Sequence, residues 1–443
     1  MGRKYFGTDG VRGRVGQDPM TVEFALRLAS AAARVLAPGG GKALIGKDTR
    51  LSGYMFEAAL EAGFVASGVD VDLIGPLPTP AIAYLTHRFK CSFGVVISAS
   101  HNPYEDNGIK FFDASGSKLS DELEERIESH LGEPLRTLES TALGKAARVD
   151  RSRVVYQQFC ASTLPPGMDL AGLKVVVDCA NGAAYKVAPR VLADLGAEII
   201  PIGCSPNGRN INVGCGSMSP ALLQLTVTGV GADVGIGLDG DGDRLVMVDH
   251  LGQLVDGDQL LYVIARDRRS RGELVGPVVG TVMSNLGLEI ALRAEGVDFL
   301  RARVGDRYVL SMLKEHGGVL GGETSGHLLC LDRTTTGDGL VSALQVLAAM
   351  KQSGSRLAEL TAGMSRLPQV MINVRIGQRV DPDQSQPIQA AVRRVEAALG
   401  GAGRVVLRAS GTEALIRVMV EGEVEAEVRR HAMDLADIVR QAV

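Results

Sequence analysis

Three aspartates separated by single glycines form the segment of the sequence with the clearest chemical meaning. Asp239, Asp241 and Asp243 alternate with glycines, and Arg244 follows them directly. In an extended or looped backbone, residues two apart face the same way, so the three carboxylates converge. Carboxylates held so close together repel one another unless a cation lies among them. Because every ligand atom is an oxygen, the segment predicts a site for a hard divalent cation such as Mg²⁺.

Other loop types that bind ions or nucleotides fit less well. An EF-hand is excluded, because the sixth and twelfth residues counted from Asp239 are Arg and His where Gly and Glu are required. Gly235–Gly240 matches G-x-G-x-x-G, but an apolar strand resumes at Leu245 where a dinucleotide fold needs a helix. Gly41–Lys47 matches most of a P-loop, but Asp48 replaces the required Ser or Thr. We interpret the last two matches as coincidental.

A serine loop beside a histidine is the second segment with the means to do chemistry. Ser98 and Ser100 precede His101 and Pro103, and Lys110 lies close by in the sequence. Phosphoryl transfer to a hydroxyl needs an accepting oxygen, basic groups that manage protons and charge, and a metal that neutralises phosphate oxygens. The sequence lacks the G-x-S-x-G elbow of many hydrolases. The loop therefore favours phosphoryl transfer.

The segment that begins at Arg408 has the composition of a phosphate-binding turn. It combines the guanidinium of Arg408 with the hydroxyls of Ser410 and Thr412 and with accessible backbone N–H groups around Gly411. Arg417, on the next predicted strand, adds a second positive charge. Arginine binds phosphate in a bidentate manner, and a nest of backbone amides completes the shell.

A polar loop at residues 322–327 has side chains that suit a sugar. Glu323 and Ser325 are typical hydrogen-bonding partners for vicinal hydroxyl groups. Together the loops would suit a molecule that carries phosphate at both ends. The metal and the serine would lie at one pole, the basic groups at the other, and the polyol between them.

The elements that must position these loops recur three times along the chain. In each copy an apolar strand ends in a small polar loop, a helix-like segment follows, and a second and a third strand come next. The first strands end near 43–48, 175–182 and 278–285, and the third strands lie near 94–98, 233–238 and 318–321. Strands alternating with helices predict parallel α/β units, which place ligands at the carboxyl ends of their strands. The serine, aspartate and 322–327 loops each follow a third strand, so the three sheets are predicted to share one cleft.

The fold class that follows is three similar mixed α/β sandwich domains plus a C-terminal α+β domain, arranged around a central active-site cleft. The tail has strand-like segments at 369–376, 404–409 and 413–420 and helix-like segments at 384–398 and 423–442. The predicted domains are 1–150 with the serine loop, 151–252 with the metal-binding loop, 253–366 with the sugar-binding loop and 367–443 with the phosphate-binding loop.

Composition excludes several classes of partner. A formal net charge of −4 over 443 residues gives no reason to expect nucleic acid or an anionic membrane surface. The six cysteines are scattered without a CxxC pair and are read as reduced thiols. The N-terminus lacks the apolar core of a signal peptide, and apolar runs fall short of the ~20 residues that span a bilayer. We therefore expect a cytoplasmic protein.

With these residues in place, the chain strongly resembles the α-D-phosphohexomutase superfamily over essentially its whole length. Ser98–Pro103 and Asp239–Arg244 match superfamily signatures. Phe6-Gly-Thr-Asp-Gly-Val-Arg-Gly, Val304-Gly-Asp-Arg-Tyr-Val and the Ser-Gly-Thr-Glu at 410–413 resemble the branch that acts on glucosamine phosphates. Two positions depart from that branch: residue 324 is Thr instead of Gln, and residue 414 is Ala instead of Pro.

The resemblance implies a role for each matching residue. Ser100 would be the phosphoserine, and its phosphate would bind one Mg²⁺ per subunit together with Asp239, Asp241 and Asp243. The residues implied to handle charge and protons are Arg12, His101, Lys110 and Arg244. Glu323 and Ser325 would bind sugar hydroxyls, with His327 close by. The residues implied to hold the non-transferring phosphate are Arg408, Ser410, Gly411 and Thr412.

The implied reaction interconverts glucosamine 6-phosphate and glucosamine 1-phosphate through a 1,6-bisphosphate, and its product feeds UDP-N-acetylglucosamine synthesis. Glucose 1,6-bisphosphate or glucosamine 1,6-bisphosphate would prime the enzyme. The partner is a small phosphosugar, with neither nucleic acid nor a membrane, and a homodimer is a compatible assembly.

Three alternatives stay open at this point. A phosphoglucomutase or phosphomannomutase of the same superfamily would differ in substrate. A haloacid-dehalogenase-type phosphatase would use Asp239 as its nucleophile, although its motif normally ends the first strand of a domain and two predicted strands precede it here. A phosphosugar-binding regulator would keep the fold without turnover.

Overall fold

The computed structural model describes residues 3–7, 9–376, 382–409 and 415–442. The described residues form four sheets of six, five, four and three strands, and each sheet defines one domain, numbered 1 to 4 in chain order. Helices pack on the sheets, as predicted for three α/β units followed by a smaller α+β unit.

Domain 1 is built on the six-stranded sheet, with strand order β1-β5-β4-β2-β3-β6. Its elements are β1 (Val11–Arg14), α1 (Val22–Leu36), β2 (Gly41–Lys47), α2 (Ser52–Ala66), β3 (Val69–Pro76), α3 (Thr79–Arg88), β4 (Phe93–Ile97), β5 (Asp106–Asp113), α4 (Asp121–His130), a 3₁₀ turn (Ser140–Ala142) and β6 (Ala146–Arg148). The segment that resembles a P-loop is β2, a strand, so its match to that motif is coincidental.

Domain 2 is built on the five-stranded sheet, with strand order β11-β10-β9-β7-β8. Its elements are α5 (Ser152–Ser162), β7 (Lys174–Asp178), α6 (Ala188–Asp194), β8 (Glu198–Ile202), α7 (Ala221–Val230), β9 (Val234–Leu238), β10 (Leu245–Asp249) and β11 (Leu254–Val255). The G-x-G-x-x-G match leads into the strand β10, not a helix, and the edge strand β11 lies just beyond residue 252.

Domains 3 and 4 have strand orders β13-β12-β14-β15 and β16-β18-β17. Domain 3 comprises α8 (Gly257–Ser270), β12 (Val278–Thr281), α9 (Leu286–Ala294), β13 (Phe299–Ala302), α10 (Asp306–His316), β14 (Leu320–Gly322), β15 (Leu328–Cys330), α11 (Gly339–Ser353) and α12 (Leu357–Thr361). Domain 4 comprises β16 (Gln369–Arg375), a 3₁₀ turn (Pro382–Gln384), α13 (Gln386–Leu399), a second 3₁₀ turn (Gly400–Ala402), β17 (Gly403–Ala409), β18 (Leu415–Gly422) and α14 (Glu425–Ala442).

The first three sheets repeat one topology. In each, the first long strand (β2, β7 or β12) pairs in parallel with both strands that follow it. The third strand then pairs with a fourth in antiparallel fashion. The serine, aspartate and sugar loops begin directly after the third strands β4, β9 and β14, so each occupies the equivalent end of its own sheet.

Burial explains why the central strands are continuous apolar runs. Ala43 and Ile45 of β2 pack in a core formed by domain 1 alone, whereas Leu44 faces a second core that continues through domains 2 and 3. Strands buried on both faces need apolar side chains at every position. The helix α11, buried from Gly339 to Met350, runs through this shared core. Domain 4 has a separate core of its own.

Among the described residues, no helix combines the length and the apolar character needed to cross a membrane.

Candidate active site

Ser100 lies at the carboxyl end of β4 with its hydroxyl directed at the aspartate loop of domain 2. Its Oγ donates to Oδ2 of Asp239 at 2.7 Å, and Nδ1 of His101 lies 3.3 Å from the same Oγ. The backbone of Ser100 is left-handed, with φ of 53°. A non-glycine residue adopts this conformation only where its surroundings hold it there. The two loops predicted to cooperate therefore meet at one hydrogen bond.

Two side-chain donors, from buried Arg50 and half-buried Asn212, hold the carbonyl groups of the serine loop. The Ser100 carbonyl accepts from Nη2 of Arg50 at 3.1 Å and from Nδ2 of Asn212 at 3.0 Å. The same two groups donate to the carbonyl of Asn102. Arg50 is fully buried and forms an ion pair with Asp48. Neither Arg50 nor Asn212 was predicted from the sequence, although Asp48 directly follows β2, at a position that carries a polar loop in every copy of the repeat.

The three aspartates form a buried cluster. Asp239, Asp241 and Asp243 each offer a carboxylate oxygen, and these oxygens lie within 4.8 Å of one another. A tight turn brings them together: the N–H of Gly242 donates to the carbonyl of Asp239, and Gly242 has a φ of +72°, which favours glycine. The triplet therefore converges through a turn and not through the alternation of a strand.

The electrostatics of the cluster suit a cation. Burial, with Asp243 and Asp241 nearby, raises the pKa of Asp239 well above its ordinary value. Oδ1 of Asp241 and Oδ1 of Asp243 are buried without a hydrogen-bond partner. Buried carboxylate oxygens without partners are costly unless an ion binds them. The residues present therefore fit a divalent cation held by oxygen ligands.

Basic residues surround the cluster on the side of domain 1. Nζ of Lys110 lies 2.8 Å from Oδ2 of Asp241 and 2.9 Å from Oδ2 of Asp9. Although burial alone would raise the pKa of Asp241, Lys110 holds it below its ordinary value. Arg12 forms an ion pair with Asp9, which sequence analysis did not single out. The positive charges predicted at Arg12 and Lys110 are thus adjacent to the metal-binding loop.

His101 is neutral at physiological pH. Burial, together with Arg244 and Arg12, lowers the pKa of His101 to about 4. The backbone N–H of Arg244 donates to Oδ1 of Asp239 at 3.1 Å, which orients the aspartate that contacts Ser100. A neutral imidazole beside a serine hydroxyl has a free lone pair for a proton.

The residues of domain 3 that were predicted to bind sugar differ in their burial. Glu323 is half-buried and His327 is buried, and Nδ1 of His327 lies 3.7 Å from Oδ2 of Asp243. Although burial alone would lower it, Asp243 and Asp306 raise the pKa of His327 to about 9. Ser325 is exposed at the tip of its loop.

These groups open on a cleft of about 910 Å³ between domains 1, 2 and 3. The predicted site residues that line it are Arg12, Ser100, His101, Asp243, Arg244, Glu323 and His327. Asp239, Asp241 and Lys110 lie behind this surface. Most of the predicted catalytic and metal-binding residues are therefore gathered at one place.

Of the residues predicted to bind phosphate, the described ones, Arg408 and Arg417, are not among the residues that line this cleft. Ser410, Gly411 and Thr412 lie outside the described residues. Arg408 and Arg417 are half-buried and stand opposite each other on β17 and β18. Burial and Arg417 lower the pKa of Arg408, while Glu323 acts in the opposite sense. Glu323, on the 322–327 loop of domain 3, is thus near enough to Arg408 to affect its pKa.

A buried carboxylate behind the sugar loop gives a testable pH dependence. Oδ2 of Asp258 accepts from Oγ1 of Thr324 at 2.7 Å and from the N–H of Asn285 at 2.8 Å. Burial and the nearby Asp256 raise the pKa of Asp258 to about 6, against an ordinary value of 3.8. Between these pH values the folded state retains a proton that the unfolded state releases. Stability contributed by this group therefore falls as pH rises from about 4 to about 6.

We expect Asp258→Asn to remove this part of the pH dependence. Relative to wild type, the variant should gain up to about 3 kcal/mol on going from pH 4 to pH 7, since one pKa unit corresponds to about 1.4 kcal/mol. Calorimetric Tm values of both proteins at the two pH values provide the measurement. An equal Tm difference at both pH values would show that Asp258 does not titrate in this range.

Comparison with known proteins places the chain in a family. Successive family models match its four parts, all described as phosphoglucomutase/phosphomannomutase: alpha/beta/alpha domain I at residues 3–135, domain II at 161–252, domain III at 256–367 and the C-terminal domain at 371–438. The chain belongs to the phosphoglucomutase/phosphomannomutase family.

Relatives at high identity share a narrower name. The chain is 58% identical over 443 residues to a phosphoglucosamine mutase from Alkalilimnicola ehrlichii, covering 100% of this chain and 98% of that protein. It is 56% identical over 443 residues to a phosphoglucosamine mutase from Aeromonas hydrophila, covering 100% of both.

Solved structures share the fold at low identity. A phosphoglucomutase/phosphomannomutase family protein from Burkholderia thailandensis matches with a TM-score of 0.82 and 24% identity, covering 99% of this chain and 98% of that one. An N-acetylphosphoglucosamine mutase from Aspergillus fumigatus, in complex with GlcNAc-6P and magnesium, matches with a TM-score of 0.70 and 19% identity, covering 99% and 96%.

Proposed function

We propose that this protein is a phosphoglucosamine mutase, which interconverts glucosamine 6-phosphate and glucosamine 1-phosphate through a phosphorylated Ser100. The observation that carries the proposal is the 2.7 Å hydrogen bond between the Ser100 hydroxyl and Asp239 of a buried aspartate cluster. The shared name of relatives that are 56–58% identical over the full chain supports the choice of substrate.

The reaction needs two transfers at one serine. The phosphoryl group on Oγ of Ser100 passes to the free hydroxyl of the substrate: the P–O bond to Ser100 breaks, a P–O bond to the substrate forms, the substrate hydroxyl loses its proton and Oγ of Ser100 gains one. The resulting 1,6-bisphosphate turns end over end and returns its other phosphate to Ser100. Both transfers use the same residues because the two ends of the sugar occupy the same pole in turn.

The residues around Ser100 supply charge and proton handling for these transfers. A divalent cation held by Asp239, Asp241 and Asp243 would neutralise charge on the phosphoryl oxygens. Neutral His101, 3.3 Å from Oγ of Ser100, is placed to exchange a proton at that oxygen. Arg12, Lys110 and Arg244 add positive charge that favours binding of a phosphorylated ligand at this wall.

Substrate binding is assigned to domains 3 and 4. Glu323, Ser325 and His327 would bind the sugar hydroxyls or lie beside them. The non-transferring phosphate would be held by Arg408, Ser410, Gly411, Thr412 and Arg417. Domain 4 would close over the cleft and exclude water, since hydrolysis of the phosphoserine would discharge the enzyme.

Several further features belong to the same proposal. The cation is Mg²⁺, one per subunit, and glucose 1,6-bisphosphate or glucosamine 1,6-bisphosphate primes the serine. The enzyme works in the cytoplasm, where its product feeds UDP-N-acetylglucosamine and cell-wall synthesis, and a homodimer is compatible with this role. The predicted domain limits 1–150, 151–252, 253–366 and 367–443 belong to the proposal, although the edge strand β11 (Leu254–Val255) pairs with the sheet of domain 2.

The proposal is tested by comparing kcat/KM for glucosamine, glucose and mannose phosphates with Mg²⁺-loaded, bisphosphate-primed protein. Glucosamine 6-phosphate should be the best substrate. A preference for glucose or mannose phosphates would make the protein a phosphoglucomutase or phosphomannomutase of the same family. Binding of glucosamine 6-phosphate without formation of the 1-phosphate would instead support a regulator.

The phosphate pole gives a prediction of its own. Arg408→Ala should weaken phosphosugar binding by about 1.5–3 kcal/mol, the usual contribution of hydrogen bonds to a charged group, and so raise KM by roughly 10- to 150-fold. Arg429→Ala removes an exposed arginine of α14 in the same domain and serves as the matched control. Steady-state kinetics provide the measurement. An unchanged KM for Arg408→Ala would place the phosphate pole elsewhere.

A further inference from the structure

One segment that sequence analysis singled out has no role in the reaction described above. Val304-Gly-Asp-Arg-Tyr-Val follows β13 and leads into α10. Its first three residues, Val304, Gly305 and Asp306, line the cleft. Each of the successive residues Gly305, Asp306 and Arg307 contacts a different part of the site.

Gly305 holds the carboxylate of the sugar loop. Its N–H donates to Oε1 of Glu323 at 3.0 Å. The φ of Gly305 is +125°, a conformation that favours glycine, so this donor depends on the residue type at position 305.

Asp306 connects domain 3 with domain 1. Its Oδ2 accepts from Nζ of Lys118 and lies 3.4 Å from Nε2 of His327. Nζ of Lys118 also donates to Oδ1 of Asp9 at 2.6 Å. The carboxylate of Asp306 therefore lies between an imidazole of its own domain and an ammonium group that belongs to the other wall of the cleft.

Arg307 joins the same segment to α4 of domain 1 through ion pairs. Its guanidinium forms an ion pair with Asp121 and donates to both carboxylate oxygens of Glu124 at 3.4 Å. Arg3 pairs with the same two acidic residues. The start of α10 is thus held against domain 1 independently of Asp306.

These contacts complete a ring of alternating acidic and basic side chains around the aspartate loop. Starting from Asp241, its members are Lys110, Asp9, Lys118, Asp306, His327 and Asp243. The ring begins and ends on aspartates of the triplet, and its members come from three domains. Removing one member of a buried charge network leaves its neighbours uncompensated, so neighbouring members act together and not singly.

We propose that Asp306 is a positioning residue of this active site. It contacts His327 on one side and Lys118 on the other. These contacts fix the position of the domain 1 wall relative to the domain 3 wall around the aspartate triplet. Lys118 shares this role as the partner of Asp306 across the cleft. The assay for this inference rests on the proposed mutase function. The contacts that support the inference are independent of that function.

The first test separates positioning from substrate binding. Asp306→Asn should lower kcat at least tenfold and change KM for glucosamine 6-phosphate by less than about threefold, because Asp306 acts through His327 and Lys118 instead of holding the sugar itself. Asp298→Asn, an exposed change in the same domain, is the matched control and should leave both constants unchanged. A wild-type kcat for Asp306→Asn would overturn the proposal, as would a rise in KM alone.

A double-mutant cycle tests whether Lys118 and Asp306 act together. Kinetics are measured for Lys118→Met, Asp306→Asn and the double variant. If the two side chains act as one unit, the kcat of the double variant should be no lower than that of the less active single variant. Losses of kcat that multiply in the double variant would overturn the proposal.

Conservative variants keep the test valid if the neutral ones fail to fold. Asp306→Glu and Lys118→Arg retain each charge but shift its position, so kcat should fall several-fold with Tm within a few degrees of wild type. A wild-type kcat in both would overturn the proposal. Failure of the proposed function is distinguishable from failure of this inference, because wild-type protein would then not convert glucosamine phosphates. In that case the double-mutant cycle would be measured with whichever hexose phosphate the wild-type protein converts.

Discussion

Replacing Ser100 with alanine should abolish mutase turnover and leave the fold intact. The hydroxyl is the group proposed to carry the phosphoryl group, and alanine has no oxygen that could accept it. Removing a nucleophile from a catalytic unit typically costs at least roughly 10⁴-fold in kcat. The rate of glucosamine 1-phosphate formation by primed protein measures the effect, and an unchanged Tm shows that the fold is preserved.

Ser98→Ala is the matched control for this experiment. The Oγ of Ser98 accepts the backbone N–H of Ser100 at 2.9 Å, so its loss disturbs the same loop without removing the nucleophile. It should retain measurable turnover. Substantial activity in Ser100→Ala, or a covalent phosphate found on Asp239 by mass spectrometry, would contradict the phosphoserine mechanism. The second result would instead support an aspartate nucleophile, as in the haloacid-dehalogenase-type phosphatases.

Asp239→Asn should abolish activity and at the same time remove the response of stability to Mg²⁺. In wild-type protein, a bound ion should raise the free energy of unfolding by about 2.7 kcal/mol at a concentration of 100 Kd. In EDTA the variant should melt at a temperature no lower than wild type. Burial and the adjacent carboxylates raise the pKa of Asp239, so its charge opposes folding when no cation is present.

Calorimetric Tm values in EDTA and across a Mg²⁺ titration provide the measurement. Asp249→Asn is the matched control, because Asp249 is a buried aspartate of the same sheet whose Oδ1 accepts from the N–H groups of Leu251 and Gln253. That control should keep the Mg²⁺ response. If Asp239→Asn responded to Mg²⁺ as wild type does, the cation would bind elsewhere.

Local pattern was sufficient to predict the fold and the meeting of the serine and aspartate loops. Strands that are buried on both faces appear as continuous apolar runs, and the polar loops that follow them are short enough to recognise by composition. For this reason the sequence predicts the third strands to within one or two residues and predicts Ser100 and Asp239 at equivalent ends of their sheets.

Residues that act at long range left no such pattern. Arg50 and Asn212 both contact the carbonyl of Ser100, but they come from different domains and have no common spacing in the sequence. Asp9 and Lys118 lie in separate segments and pair only because β1 and β5 are neighbours in the sheet. Each is an ordinary charged or amide residue in its local context, and only the folded chain makes it part of the site.

Because the core behind the first three sheets is continuous, a destabilising substitution in it should affect more than one domain. A truncated side chain in α11 would leave a void bordered by domains 2 and 3, in a core that also reaches one face of domain 1. Its effect would be transmitted to the serine, aspartate and sugar loops together. A truncation in the core of domain 4 should have a more local effect, because the described residues of that core form an apolar cluster of their own. Tolerance to substitution should therefore change abruptly near residue 369, independently of how close a residue lies to the substrate.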